Sequence, residues 1–397
     1  MYVGIWLLSR AGVLNVKKAA LFPSHSTSCV APRYQVAWVC ALPLEMAAAK
    51  AMLDEIQPDI STSLKDQNTY ILGRIHAHNV VIACLPSGIY DTTSATTMAS
   101  HMRLSFPSIQ FGLTVGIGGG VPSKVDIRLG DVVVSEPTGA FGGVVQYDYG
   151  KTVCGAFQQT GTMDRPPQVL LHAITRLKAD DMLGSNQSIV KMISDVLNTN
   201  VDMKARFSRP ADEPDRLFDP GYEHPHGEDS CINCDKGQLI HRDLRTSDEP
   251  QIHYGLIASG NQVMKHAKTR DRLVKEYGIL CFEMEAAGFM NQPPCLVIRG
   301  ICDYSDSHKN KQWQGYAALA AAAYAKTLLA AVSASRKSLT SKIACWMVPF
   351  ERNPKFLGRH NEVVKLEQKI LGKDRVRRMA ITGLGGVGKT QIVLELA

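Results

Sequence analysis

Short apolar runs alternate with helical patterns along most of this chain, and that alternation restricts the fold more than any other feature. Residues 34–41, 109–115, 131–135, 252–258, 279–282 and 295–301 read as buried strands, and 69–73 with 79–85 as a hairpin. Between them, 44–56, 91–104, 262–277 and the alanine-rich 313–335 carry helical patterns. Strands alternating with helices predict an α/β domain around a largely parallel sheet. Residues 151–250 interrupt the rhythm. They hold two helical patterns, 168–178 and 189–197, then a Pro-, Asp-, Glu- and Gly-rich stretch at 210–237, and read as an excursion from the domain.

Composition narrows the function classes. The 397 residues leave room for two or three domains, and 45% hydrophobic with 20% charged residues is a globular balance. The net charge of +7 is unevenly held: residues 336–397 carry 13 basic and 5 acidic residues, the rest 31 and 32. The body is therefore neutral, and a nucleic-acid partner is not expected. The run 317–332 is mostly alanine and contains Lys326, so no membrane span is expected. Ten cysteines scattered through apolar runs suit a reducing, cytoplasmic setting. Residues 1–33 contain Arg10, Lys17, Lys18 and Arg33 with no acid before Glu45. That composition is compatible with a transit peptide, but without an amphipathic Arg-rich helix the expectation is a disordered extension or a misplaced start.

Five constellations carry candidate chemistry. In Phe282-Glu-Met-Glu285-Ala-Ala-Gly288 two carboxylates flank Met284 at a strand-to-helix junction. Spaced two apart they are expected to point different ways, with at most one facing a pocket, or both capping the helix. In Leu296-Val-Ile-Arg-Gly-Ile-Cys-Asp303 a strand delivers Asp303 at its carboxyl end, where open α/β sheets bind ligands. A partly desolvated carboxyl there can hold and deliver a proton. Val115-Gly-Ile-Gly-Gly-Gly120 reads as a strand ending in a turn where backbone approaches a flat ligand. Pro122 and Ser123 follow at once, so a dinucleotide site is not supported.

Gly383-Leu-Gly-Gly-Val-Gly388-Lys389-Thr390 matches the phosphate-binding loop pattern between a strand at 379–382 and a helix at 391–396. Its amides would cradle phosphates, with Lys389 on the β/γ oxygens and Thr390 on Mg²⁺. The chain ends seven residues later, so the expectation is an incomplete P-loop NTPase start that does not bind nucleotide. Cys231-Ile-Asn-Cys234 follows His224 and His226 with a zinc-like spacing. A second ligand pair is poorly defined, so these are read as reduced loop cysteines and neither a metal nor a cofactor is expected.

In this order the motifs resemble the nucleoside phosphorylase/nucleosidase superfamily over residues 34–332. Cys40-Ala-Leu-Pro-Leu-Glu45, Val115–Gly120 with Gly130-Asp-Val-Val-Val-Ser135, Ile257-Ala-Ser-Gly-Asn-Gln262, and the Glu285 and Asp303 blocks carry the likeness. Phe356-Leu-Gly-Arg359 and the P-loop are similar to the start of an NB-ARC domain. The arrangement resembles fungal NLR-like (STAND) proteins with such an enzyme as N-terminal effector. The implied organisation is an extension at 1–33, the enzyme domain at 34–335 with its excursion, a basic linker at 336–355 and a truncated NB-ARC-like segment at 356–397. The implied fold is phosphorylase/hydrolase-like, three layers around a mixed, largely parallel sheet.

The resemblance also implies roles. Asp303 would protonate or hydrogen-bond the purine N7, and Glu285 would hold the ribose hydroxyls and stabilise an oxocarbenium-like transition state. Met284 would pack on the sugar, and Gly118, Gly119, Gly120, Ser259 and the backbone near Val263 would line the substrate. Phosphorylases of this superfamily carry an Arg before the Gly turn and a Gly-Asp-Pro segment after the first strand. Here the positions read Leu113-Thr-Val-Gly116 and Ala41-Leu-Pro-Leu-Glu45. Glu45 stands where the nucleosidases place the carboxylate that activates water, and a phosphate dianion beside it would be repelled. Hydrolysis of a purine nucleoside or nucleotide is expected, with phosphorolysis or a non-catalytic sensing module as the alternatives. Asn261 replaces an Asp common in the nucleosidases. A 5′-phosphate would need cations, for which Arg103, Lys124, Arg128, Arg270 and Arg272 are candidates. The superfamily implies a homo-oligomer.

Overall fold

The computed structural model describes residues 34–332, apart from 61–65, 155, 186–187, 212–213, 226–229, 248 and 291–292, together with 361 and 364. The N-terminal extension, the linker and the P-loop lie outside the described residues. Residues Cys29–Ala334 form one compact unit.

Twelve strands are found among the described residues: β1 (Val36–Cys40), β2 (Glu55–Gln57), β3 (Tyr70–Ile75), β4 (His78–Cys84), β5 (Phe111–Gly120), β6 (Val132–Ser135), β7 (Val144–Gln146), β8 (Gly150–Val153), β9 (Ala156–Gln159), β10 (Ile252–Ser259), β11 (Ile279–Glu283) and β12 (Cys295–Asp303). The helices are α1 (Pro43–Ala51), α2 (Thr92–Ser105), α3 (Gln168–Met182), α4 (Ile189–Thr199), α5 (Lys204–Phe207), α6 (Ala267–Tyr277), α7 (Ala286–Phe289) and α8 (Gln314–Ala331), with three short 3-10 turns. Ten strands join one mixed sheet in the order β11-β10-β6-β12-β5-β1-β4-β3-β2, with β7 beside β10. β8 and β9 form a separate hairpin.

The alternation of side chains along β1 builds two cores. Val36, Trp38 and Cys40 face α1, α3, α4 and α8, while Ala37 and Val39 face α2 and α7. Helices therefore cover both faces and the sheet is the middle of three layers. The alanine-rich α8 is buried nearly all round. Its small side chains let its backbone lie against β12, where any Cβ at Gly300 would collide with the Ala317 carbonyl. Residues of α3, α4 and α5 join this core, so residues 168–207 are part of the domain's packing. The irregular stretch from 208 to 250 is tied down by ion pairs instead. Asp131, 1% exposed, accepts from Arg245 at 2.6 Å and from the Gln251 amide at 2.9 Å.

Three of the differences from the sequence expectation have a local reason. The first helix stops at Ala51 rather than 56, because Glu55–Gln57 pairs with β3 and Asp54 takes Lys326 at 2.6 Å. The helix expected from 262 begins at Ala267, where His266 caps it by accepting from the Thr269 amide. The glycine run is strand to its end, not a turn. Gly118 and Gly119 pair with Ile301 and Asp303 of β12, and Gly119 and Gly120 pair with Phe282 and Cys281 of β11. This second pairing closes β5-β12-β6-β10-β11 into a ring.

Candidate active site

The carboxyl ends of β1, β5, β11 and β12 bring the predicted acids to the closed end of the sheet. Pro43 opens α1 directly after β1, so Glu45 sits in the first turn of that helix. Its carboxylate folds back to accept from the amides of Ala41 (2.7 Å) and Leu42 (2.9 Å) and reaches across to the amide of Ile117 in β5 (2.8 Å). Glu45 is 3% exposed. Burial pushes its pKa up, against the pull of the Arg299 guanidinium and the three amides. Gly116 makes room for this arrangement, since a Cβ there would occupy the space of the Glu45 carboxylate and Arg299 Nη1.

Arg299 is the centre of the charge cluster, and sequence reasoning did not single it out. Its Nη2 donates to Glu283 Oε2 and lies 3.4 Å from Glu285 Oε2. The two carboxylates of the Glu-Met-Glu motif thus converge on one guanidinium instead of pointing apart. The chain bends at Met284 and Glu285 before α7 begins, so neither strand nor helix spacing applies across them. Capping also holds for Glu283, whose Oε2 accepts from the amides of Glu285 (3.1 Å) and Ala286 (2.9 Å). Burial, with Glu283 and Glu45 nearby, drives Glu285 up to about 8 despite Arg299. Three buried acids share one buried cation, and the signal for this was an Arg inside an otherwise apolar strand.

Asp303 forms a second group. It is 4% exposed at the end of β12, where its Oδ2 meets Lys309 Nζ at 2.6 Å and its Oδ1 accepts from the Ser305 amide at 2.9 Å. Ser305 reaches that bond from a left-handed backbone (φ 55°), which a serine adopts only under constraint. Burial opposes charge on Lys309, but the Asp303 carboxylate holds the ammonium above its usual range. Gly119 is needed beside this group, because a Cβ there would fall 2.6 Å from Asp303 Oδ1. Along β5, Gly116 thus makes room for the Arg299 cluster and Gly119 for Asp303.

The remaining predicted residues divide. Met284 is half-buried beside the acids. Gly118 lies where a Cβ would press on the Phe282 carbonyl and Arg299, and Gly120 where it would press on Ile301. Ser259 is fully buried and its Oγ accepts from the Ala287 amide at 3.0 Å, so it positions α7. Val263 is 51% exposed on the loop before α6. Asn261 is held on Thr92 and on Asp148 Oδ2. Among the candidate cations, Lys124, Arg128 and Arg270 line one cavity of about 480 Å³ together with Arg242, whereas Arg103 and Arg272 are exposed elsewhere. Arg128 is paired with Asp126 (2.8 Å) and Arg270 with Asp271 (2.9 Å). His224, Cys231 and Cys234 come together; His226 lies outside the described residues.

The chain is 45% identical over 369 residues to a nucleotide-binding leucine-rich repeat (NLR)-like protein of Hyaloscypha variabilis, a match covering 92% of this chain. It is 24% identical over 299 residues to a 5′-methylthioadenosine/S-adenosylhomocysteine nucleosidase of Mycobacterium bovis, covering 73% of this chain and 94% of that protein. The chain is thus similar to an NLR-like protein and, at lower identity, to nucleosidases. It spans 36% of the length of the NLR-like relative. A solved structure of the Helicobacter pylori 5′-methylthioadenosine/S-adenosylhomocysteine nucleosidase overlaps 75% of this chain and 98% of its own, at 15% identity and a TM-score of 0.46. No family model matches the chain. No described helix is long and apolar enough to cross a membrane.

Proposed function

We propose that the nucleosidase-type domain hydrolyses the N-ribosidic bond of a purine nucleoside or nucleotide and serves as the effector of an NLR-like protein. The observation that carries this reading is the gathering of Glu45, Glu283 and Glu285 on Arg299 beside the Asp303–Lys309 pair. Cleavage builds positive charge on the ribose and negative charge on the departing base. A site with three acids on one cation suits the first, and a carboxyl with a lysine behind it suits the second.

Glu45 is the general base. Its raised pKa brings a carboxylate closer to neutral pH, where a base works best, and its position is held by three amides. Water attacks the anomeric carbon, its proton passes to Glu45, and the bond to the purine nitrogen breaks. Glu285 receives the ribose hydroxyls, and its oxygens lie beside the sugar as it becomes cationic. Asp303 faces N7 of the base. Lys309 on Oδ2 holds in place the carboxyl that delivers the proton to N7. Arg299 is the one cation in the acid cluster among the described residues, and Glu283 and Glu285 hold it. A phosphate nucleophile finds no uncommitted charge there, which favours hydrolysis over phosphorolysis.

The relatives act, by their names, on 5′-methylthioadenosine and S-adenosylhomocysteine, so an adenine base is the first choice. The test is release of free base from adenosine and from ATP by the full chain, with and without phosphate, followed by chromatography. Adenine released in phosphate-free buffer supports the proposal. Release only with phosphate makes the domain a phosphorylase, and tight binding without turnover makes it a sensing module.

A further inference from the structure

We infer that His224, Cys231 and Cys234 form a zinc site that fastens the irregular stretch 208–250 to the loop carrying Lys309. The three donor atoms lie within 4.8 Å of one another, and both cysteines are buried. Two thiolates and an imidazole around a tetrahedral zinc stand roughly 3.4–3.8 Å apart, given bonds of about 2.3 Å to sulfur and 2.0–2.1 Å to nitrogen. Closing the site takes a movement of about 1–1.4 Å at most.

The surroundings ask for a cation. His224 Nδ1 faces the Pro225 carbonyl at 2.9 Å and Nε2 faces the Ser230 carbonyl at 3.3 Å. A neutral imidazole has one N–H, so one ring nitrogen points a lone pair at an oxygen. With a metal on that nitrogen the other keeps its hydrogen bond to a carbonyl, the usual support of a ligating histidine. His308 is buried, its two ring nitrogens have no hydrogen-bond partner, and its ring centroid is 5.3 Å from that of His224. A soft donor set of this kind selects zinc over magnesium or calcium.

The site has a consequence for the acid pair. The His224 amide donates to Ser307 Oγ at 2.9 Å, and Lys309, two residues on, holds Asp303. Phe218 stacks on His308 at 4.1 Å between centroids, in a small cluster with Cys231 and Cys234. This cluster is small, and a metal adds a constraint to those of the Arg242–Asp215 and Arg245–Asp131 ion pairs.

The test is metal analysis of the full 397-residue chain, purified in reductant without chelator. The expected result is about one zinc per chain, falling below about a tenth when both Cys231→Ser and Cys234→Ser are made and unchanged in the exposed Cys154→Ser control. Cobalt should give a thiolate charge-transfer band in the wild type and none in the double variant. Chelation should raise amide hydrogen exchange at residues 304–312, a readout independent of turnover. A natively folded wild-type chain that holds less than about a tenth of an equivalent after incubation with zinc overturns the inference. So does retention of zinc by the double variant, or recovery of Cys231 and Cys234 as a disulfide that zinc does not prevent.

Discussion

Glu285→Gln should stabilise this protein, and by an amount that depends on pH. Glu285 is 8% exposed and driven up to about 8 by burial and two neighbouring acids, against an ordinary value of 4.5. The native state therefore keeps a proton that the unfolded chain releases. Where the folded pKa is raised, the associated stability is complete below pH 4.5 and is lost as pH rises to about 8. Each pH unit in that window costs about 1.4 kcal/mol, so the loss reaches roughly 3 kcal/mol at pH 7 and 5 kcal/mol at pH 8. Glutamine keeps the shape and an oxygen for Arg299 but carries no proton to lose. The variant and the wild type should melt together near pH 4.5. At pH 7 the variant should melt about 5 °C or more higher, taking roughly 2 °C per kcal/mol for a domain of this size. Differential scanning calorimetry at half-unit pH steps reads this directly. An equal melting shift at pH 5 and pH 8 would refute the shared-cation account of the site. The same variant should lose base release, since a residue that destabilises its own fold is typically kept for function.

Other substitutions probe the remaining parts. Glu45→Gln should lower base release by about 10²–10⁴ with an unchanged far-ultraviolet spectrum, read by chromatography of free adenine. Gly116→Ala should cost about 1–3 kcal/mol in urea unfolding and abolish activity, because its Cβ enters the space of Glu45 and Arg299. Lys309→Met leaves Asp303 buried without its cation and should cost about 3–5 kcal/mol, whereas Lys309→Met with Asp303→Asn should recover most of that loss.

The local alternation of apolar runs and helical patterns could be read from the chain, and it placed most elements within a few residues. These signals are local, since strand burial, helix entry and capping depend on neighbours in sequence. Glu285 and Asp303 were legible as candidate acids because one stands at a strand-to-helix junction and the other ends an apolar strand, and Glu45 through the family resemblance. Tertiary structure decided what they touch. Gly116–Gly120 reads as a turn closing the strand, and only pairing with both β11 and β12 made it a strand that closes a ring. Arg299 was one charge in a buried run until β11 brought Glu283 and Glu285 to it, and Lys309 met Asp303 only through the left-handed turn at Ser305. Charge pairing between residues far apart in sequence leaves no periodic trace, because Coulomb attraction depends on distance in space and on the burial that removes water. The chain's own pattern thus determined the layers and the kinds of residues at the sheet's end, while packing alone determined which acid shares which cation.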